Sequence, residues 1–266
     1  MSTKPAILAF GLLATPVCAL AAEADGATHT VTTNISLVSE YIYRGIAQTR
    51  GRPALQGGID YSHRSGFHTG VSASTISWIE DGVSGASADV ELDVLGGYRW
   101  AANDVIGFDV GVLSYNYPGS DKTPGGTLRQ DSIELYGTVS WRWLSVTYWR
   151  STTALFGLAR TGTTDGKTRG STYLEFNAGR DLGHGWGITG HLGRQTIRDN
   201  RNASYTDYRI GVSRTLRLAT LSLSYSNTNA SADCSQGDTY CFVRASDGKG
   251  YDAGQGRVVL GIGTTF

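Results

Sequence analysis

Val90-Glu91-Leu92-Asp93-Val94-Leu95-Gly96-Gly97-Tyr98-Arg99-Trp100 decides how this chain folds. Successive side chains of an extended strand point to opposite sides. Here Val90, Leu92, Val94, Gly96, Tyr98 and Trp100 fall on one side, while Asp89, Glu91, Asp93, Gly97 and Arg99 fall on the other. A strand so sharply divided separates two different media.

The same period of two recurs along the chain. Val31, Thr33, Ile35, Leu37, Tyr41 and Tyr43 oppose Thr32, Asn34, Ser36 and Glu40. Ile133, Leu135, Val139 and Trp141 oppose Ser132, Glu134, Thr138, Ser140 and Arg142. About twelve strands result, near 29–43, 54–63, 67–78, 88–100, 104–117, 130–142, 144–152, 171–181, 186–196, 205–214, 218–227 and 257–266. Five connections are short and six are long (44–53, 79–87, 118–129, 153–170, 197–204 and 228–256), and the two kinds alternate strictly. The pattern predicts an all-β fold, a transmembrane antiparallel up-and-down β-barrel with short periplasmic turns and long extracellular loops. Pro53, Pro118 and Pro124 fall in or beside long loops, as do Lys122, Lys167 and Lys249. Proline removes a ladder donor and lysine is costly against lipid, so both placements fit.

Composition agrees. Of 266 residues, 36 are Gly and 14 Tyr, and only 17% are charged, which suits neither a helical enzyme nor a disordered chain. The 23 basic and 23 acidic residues cancel, so no nucleic-acid footprint is present. Lys4, the apolar run Ala6–Ala14 and the small-x-small site Ala19-Leu20-Ala21 read as a secretory signal peptide over 1–21, leaving a barrel over 22–266. Pro16 and Val17 argue against a lipid anchor at Cys18. Removal of that cysteine leaves Cys234 and Cys241, which are expected to form a disulfide in an oxidising compartment. Neither a metal set nor a cofactor motif accompanies them.

Tyr41-Ile42-Tyr43-Arg44-Gly45-Ile46-Ala47-Gln48-Thr49, then Pro53-Ala54-Leu55-Gln56-Gly57-Gly58-Ile59-Asp60-Tyr61, Ser65-Gly66-Phe67 and Ser74-x-x-x-Trp78, resembles the Gcw_chp family, proteobacterial proteins described as TorF-family porins. The motif-bearing part spans roughly 35–80, and Ala47 stands where that pattern usually has Ser. The resemblance implies a bacterial outer-membrane barrel of unestablished solute and carries no catalytic residues. The final strand, Val258 to Phe266, resembles the carboxy-terminal signal read by the outer-membrane assembly machinery, with Phe266 as its terminal aromatic.

If the apolar side meets lipid, the other side lines the interior. Glu40, Asp60, Asp89, Glu91, Asp93, Asp109, Glu134, Glu175 and Asp207 are then expected inside, facing Arg99, Arg142, Arg209 and Arg257. Such carboxylates either favour cations or brace a narrow barrel against the arginines. Arg44 is expected at the pore mouth or in a contact that holds its loop. The loop 228–256 is expected to plug the lumen or to stand rigid outside it. Tyr41, Tyr43, Tyr61, Tyr98, Trp100, Trp141 and Trp143 suit interfacial girdles, with sugar stacking as the alternative. A porin-like channel for small solutes or ions in the outer membrane follows, with membrane lipids and the assembly machinery as partners. The competing readings are a non-conducting adhesion barrel and an outer-membrane lipid hydrolase. Hydrolysis needs a base beside a nucleophile. None of His29, His63, His68, His184 and His191 stands in such a motif, so no enzyme is expected.

Overall fold

The structure, a computed structural model, describes residues 27–82, 88–120, 129–160, 166–244 and 247–266. The expected signal peptide, Lys122 and Pro124 lie outside the described residues.

Twelve strands build the wall: β1 (His29–Val38), β2 (Ala54–His63), β3 (Phe67–Thr75), β4 (Val90–Ala101), β5 (Ile106–Asn116), β6 (Ser132–Trp141), β7 (Leu144–Ser151), β8 (Thr172–Gly183), β9 (Trp186–Thr196), β10 (Tyr205–Thr215), β11 (Thr220–Thr228) and β12 (Arg257–Thr265). Each pairs antiparallel with its chain neighbours, and β12 pairs back onto β1 through Leu37↔Ile262, closing the barrel. Closure leaves no strand edge, which is what a sheet in lipid requires. The turns are tight: Arg142 and His184 adopt positive φ (53° and 55°) in connections of two residues.

The apolar side chains face outward. Val31, Leu55, Ile59, Leu135, Phe176, Ile210 and Leu260 are all exposed, the inverse of a soluble core. Tyr98, Trp100, Trp141, Trp143 and Trp186 point out near the short-turn end, and Trp100 stacks on Phe108 with ring centres 5.2 Å apart. Glycines let inward aromatic rings cross neighbouring strands. A Cβ at Gly111 would meet the Tyr136 ring at 2.7 Å, and one at Gly193 would overlap Tyr173.

The expected first strand, 29–43, is too long. β1 stops at Val38, and Ile42–Tyr43 pairs with Ile46–Ala47 in a separate hairpin. Alternation continues through both pieces because extended backbone gives a period of two whether or not it belongs to the wall. Tyr41 and Tyr43 therefore leave the expected girdle and lie inside the barrel, Tyr41 fully buried.

Candidate functional site: a lumen crossed by an arginine hairpin

The hairpin tip is Arg44-Gly45, with φ of 46° and 79°. Positive φ at both central positions is the geometry of a two-residue I′ turn, in which Asn or Asp normally precedes Gly. Arginine at the first position is strained, and strain of this kind persists only where surrounding contacts impose it. Arg44 supplies them. Its Nη2 lies 2.8 Å from Glu134 Oε2, its Nη1 donates to Gln195 Oε1 at 3.0 Å, and its guanidinium lies 4.1 Å from the Tyr173 ring centre. Glu134 is on β6, Tyr173 on β8 and Gln195 on β9, whereas the hairpin leaves the wall between β1 and β2. The hairpin spans the lumen from one wall to the other. Gly45 is required at the tip because a Cβ there would lie 2.6 Å from Asp207 Cβ on β10.

Around this bridge the extracellular half is filled. Tyr41 and Tyr117 donate to Glu91 at 2.7 Å each, Tyr115 donates to Glu134 at 3.0 Å, and Leu113, Tyr173 and Trp149 pack beside them. The described residues of the loop 229–256 rest on the hairpin: Ala47 N–H donates to Ala253 O at 2.8 Å, and Arg50 donates to Phe242 O and Lys249 O. Tyr251 hydroxyl donates to Glu40, and burial together with that bond raises the phenol's pKa above its ordinary value. In the same loop Cys234 and Cys241 form a disulfide, and Arg244 holds the Asp247 carboxyl down at about 2.

Against the hairpin lies a cavity of about 960 Å³, counting its open mouth, lined by Glu175 on β8, His191 on β9, Arg209 on β10 and Ser222, Ser224 and Ser226 on β11. His191 Nε2 is 2.8 Å from Asp207 Oδ2, and Trp149 Nε1 donates to Glu175 at 2.8 Å. A second cluster nearer the short turns joins Asp109 to His68 (3.0 Å), Arg99 (3.1 Å) and Tyr136 (2.9 Å). There the wall opens to water: Asp60, Ser62 and Thr189 have inward register and are exposed.

Of the residues expected inside, Asp60, Glu91, Asp93, Arg99, Asp109, Glu134, Glu175, Asp207 and Arg209 have inward register. Glu40 lies buried just beyond β1, accepting Gly51 N–H at 2.7 Å with Arg257 at 3.7 Å. Two expectations fail. Asp89 is exposed ahead of β4, in a long loop rather than on the wall, and Arg142 is exposed in the turn between β6 and β7. Both sit one step past a strand end, where alternation no longer dictates direction. Arg44 is near the mouth, but bonded across it rather than lining it. Sequence reasoning missed Tyr115, Tyr117, Trp149, Tyr173, Gln195 and His68 as interior partners. Their inward register was readable, but an inward aromatic looks the same as a lipid-facing one until its neighbours are assigned. The Ser–His contact on the outer surface, Ser65 Oγ to His63 Nδ1 at 2.8 Å, is a turn contact in which Ser65 N–H also donates to Nδ1 at 3.1 Å.

A closed, lipid-facing, twelve-stranded barrel with a polar interior is an outer-membrane barrel of the porin type. The chain belongs to the Gcw_chp family, described as bacterial proteins of unknown function, which it matches over residues 21–266. It superposes on the KdgM porin, solved in complex with disordered oligogalacturonate, with a TM-score of 0.51 at 10% identity, covering 89% of this chain and 99% of that one. The TodX deltaS2S3 mutant, a monoaromatic hydrocarbon channel, gives 0.49 at 10% identity (90% and 89% covered), and LpxR from Salmonella typhimurium gives 0.41 at 10% (88% and 99%). At these identities the likeness speaks for the fold alone. No curated protein matches the sequence.

Proposed function

We propose that the protein is an outer-membrane channel for small solutes and ions, with a preference for cations and with the Tyr41–Thr49 hairpin as its constriction. The carrying observation is the imbalance of the interior wall. Glu134, Asp109 and Glu40 each face an arginine, and Asp207 and Glu175 share His191. No arginine contacts Asp60, Glu91 or Asp93 among the described residues, and both carboxylate oxygens of Asp93 are buried without a hydrogen-bond partner. Bracing accounts for the paired carboxylates and leaves these over. Asp60 is exposed on the inward register, so it adds fixed negative charge to the passage, and such charge concentrates cations.

The signal-peptide reading of 1–21 and the barrel fold together support export and insertion in the outer membrane, with the 22–266 segment as the mature chain. Phe266 supports recognition by the assembly machinery: its backbone pairs with Thr33 at 2.8 Å while its side chain is exposed.

The test is planar-bilayer recording of the purified barrel across a potassium chloride gradient. Discrete conductance steps with a reversal potential on the cation side are expected. Anion selectivity refutes the charge argument, and silence even after removal of residues 41–48 favours a purely structural barrel. Hydrolysis of a lipid ester by the refolded protein would instead favour an enzyme.

A further inference from the structure

The lipid-facing register carries charge of one sign only. Among the described strand residues, Arg150, Arg180, Arg194 and Arg214 stand on it, and no carboxylate does. Arg150 and Arg194 lie at the long-loop ends of β7 and β9, flanking β8, where Thr172 pairs with Arg150 on one side and Thr196 on the other. Just above Thr172, a Cβ built on Gly170 would meet Arg198 Nη1 at 3.4 Å and Arg150 Nη2 at 3.6 Å, so two guanidiniums from different elements converge on one point.

Like charges gathered this way repel unless an anion lies between them. Within the described residues the protein supplies little. Arg198 reaches Asp199 at 3.6 Å, a pair more than half exposed, and donates to Arg169 O at 3.3 Å. Arg194 donates to Thr206 Oγ1, a neutral acceptor, at 3.1 Å. Among the described residues no carboxylate contacts Arg150, Arg169 or Arg194. Directly below, the same strands present Tyr148, Leu174, Phe176 and Leu192 outward, all exposed. A cationic rim over an apolar wall matches a molecule with an anionic head and apolar tails.

We infer that the extracellular rim over β7–β9 binds the phosphorylated headgroup of an outer-leaflet lipid, with Arg150 and Arg198 clamping the phosphate and Arg194 and Arg169 beside it. Arginine suits phosphate because its planar fork donates two parallel hydrogen bonds. The continuous apolar surface beneath favours a lipid over free phosphate. This inference rests on the outer-membrane placement proposed above but not on conduction.

The experiment is native mass spectrometry of the purified barrel in an uncharged detergent, titrated with phosphorylated lipid A, its dephosphorylated form and inorganic phosphate. Retention of the phosphorylated lipid is expected to weaken ~10-fold or more in the Arg150→Gln/Arg198→Gln double variant. It should stay unchanged in Arg180→Gln/Arg214→Gln at the opposite rim. Equal retention of phosphorylated and dephosphorylated lipid overturns the inference, as does equal loss from both double variants, and phosphate binding as tightly as lipid shows an anion site without lipid specificity. Heat-modifiable gel mobility verifies folding. If the double variant does not fold, Arg150→Gln alone must show a smaller loss in the same direction. Bilayer recordings of the double variant should match wild type, so a failed lipid site and a failed channel are told apart.

Discussion

The two halves of the lumen are built from the same strands and differ in almost everything else. Toward the long loops, Glu134, Tyr173, Asp207 and Glu91 are at most 2% exposed, sealed by the hairpin and by aromatic rings that hydrogen-bond to carboxylates. Toward the short turns, Asp60, Ser62 and Thr189 share the inward register and meet water. Wall register therefore places a side chain inside but does not decide whether it is buried. One strained loop decides that. Burial also changes what a charge does: a sealed carboxylate needs a partner to stay ionised, whereas a wet one is free to act on passing ions.

The strongest way to break this contrast is to remove the bridge. Arg44→Ala leaves Glu134, whose side chain is 0% exposed, without its cation. Breaking one partner of a buried pair costs about 3–5 kcal/mol. The hairpin amides from 41 to 48 should then exchange with deuterium far faster while the wall strands stay protected, and single-channel conductance should rise. Arg44→Lys should recover only part of the protection, since a lysine cannot hold both Glu134 oxygens and Gln195 together. Wild-type exchange in Arg44→Ala would mean that the hairpin is held by its lid alone. Gly45→Val should act in the same direction with about 1–3 kcal/mol, from the left-handed backbone and the clash with Asp207. A valine variant as protected as wild type would show that the tip has room to shift.

The wall was legible in the sequence because lipid imposes alternation on every strand, and β2 and β9 match the expected 54–63 and 186–196 residue for residue. The site was half legible. Inward register followed from parity, so Glu134 and Asp207 were placed correctly, yet nothing local marks which loop turns inward. Length and the two cysteines single out loop 228–256, and leave open whether it plugs the lumen or stands rigid outside it. The decisive signal was shorter: Tyr43-Arg44-Gly45, a turn dipeptide with the wrong residue in the first position. That Arg44 tolerates positive φ is intelligible only once Glu134, Tyr173 and Gln195 are seen around it, and these lie 90 to 151 residues away.

The wet half offers a gentler test. Asp60→Asn removes an exposed inward carboxylate that no arginine contacts among the described residues, so the fold should be untouched. Cation preference, read as the reversal potential in a salt gradient, should fall by ~2-fold at low salt and by less as ionic strength rises, because solvent screens an exposed charge. An unchanged reversal potential would show that the wet carboxylate does not set selectivity and would overturn the charge argument.

The smallest effect is expected from the disulfide. Closing a ring of this size lowers the entropy of the open chain by an amount worth about 2–3 kcal/mol, but that stabilisation belongs to the segment the bond encloses. The hydrogen bonds from the lid to the hairpin and its flanks lie outside the Cys234–Cys241 ring, which contributes only Tyr240 to the buried cluster around Ile46 and Ala47. Ala253 O accepts from Ala47, Phe242 O and Lys249 O accept from Arg50, and Tyr251 donates to Glu40. Local opening follows local contacts rather than chain connectivity. Cys234→Ser/Cys241→Ser, or reduction of the wild type, should therefore speed proteolysis between 234 and 241 while leaving hairpin exchange and conductance as they were. A conductance jump on adding reductant would show instead that the lid, and not Arg44, holds the two halves apart.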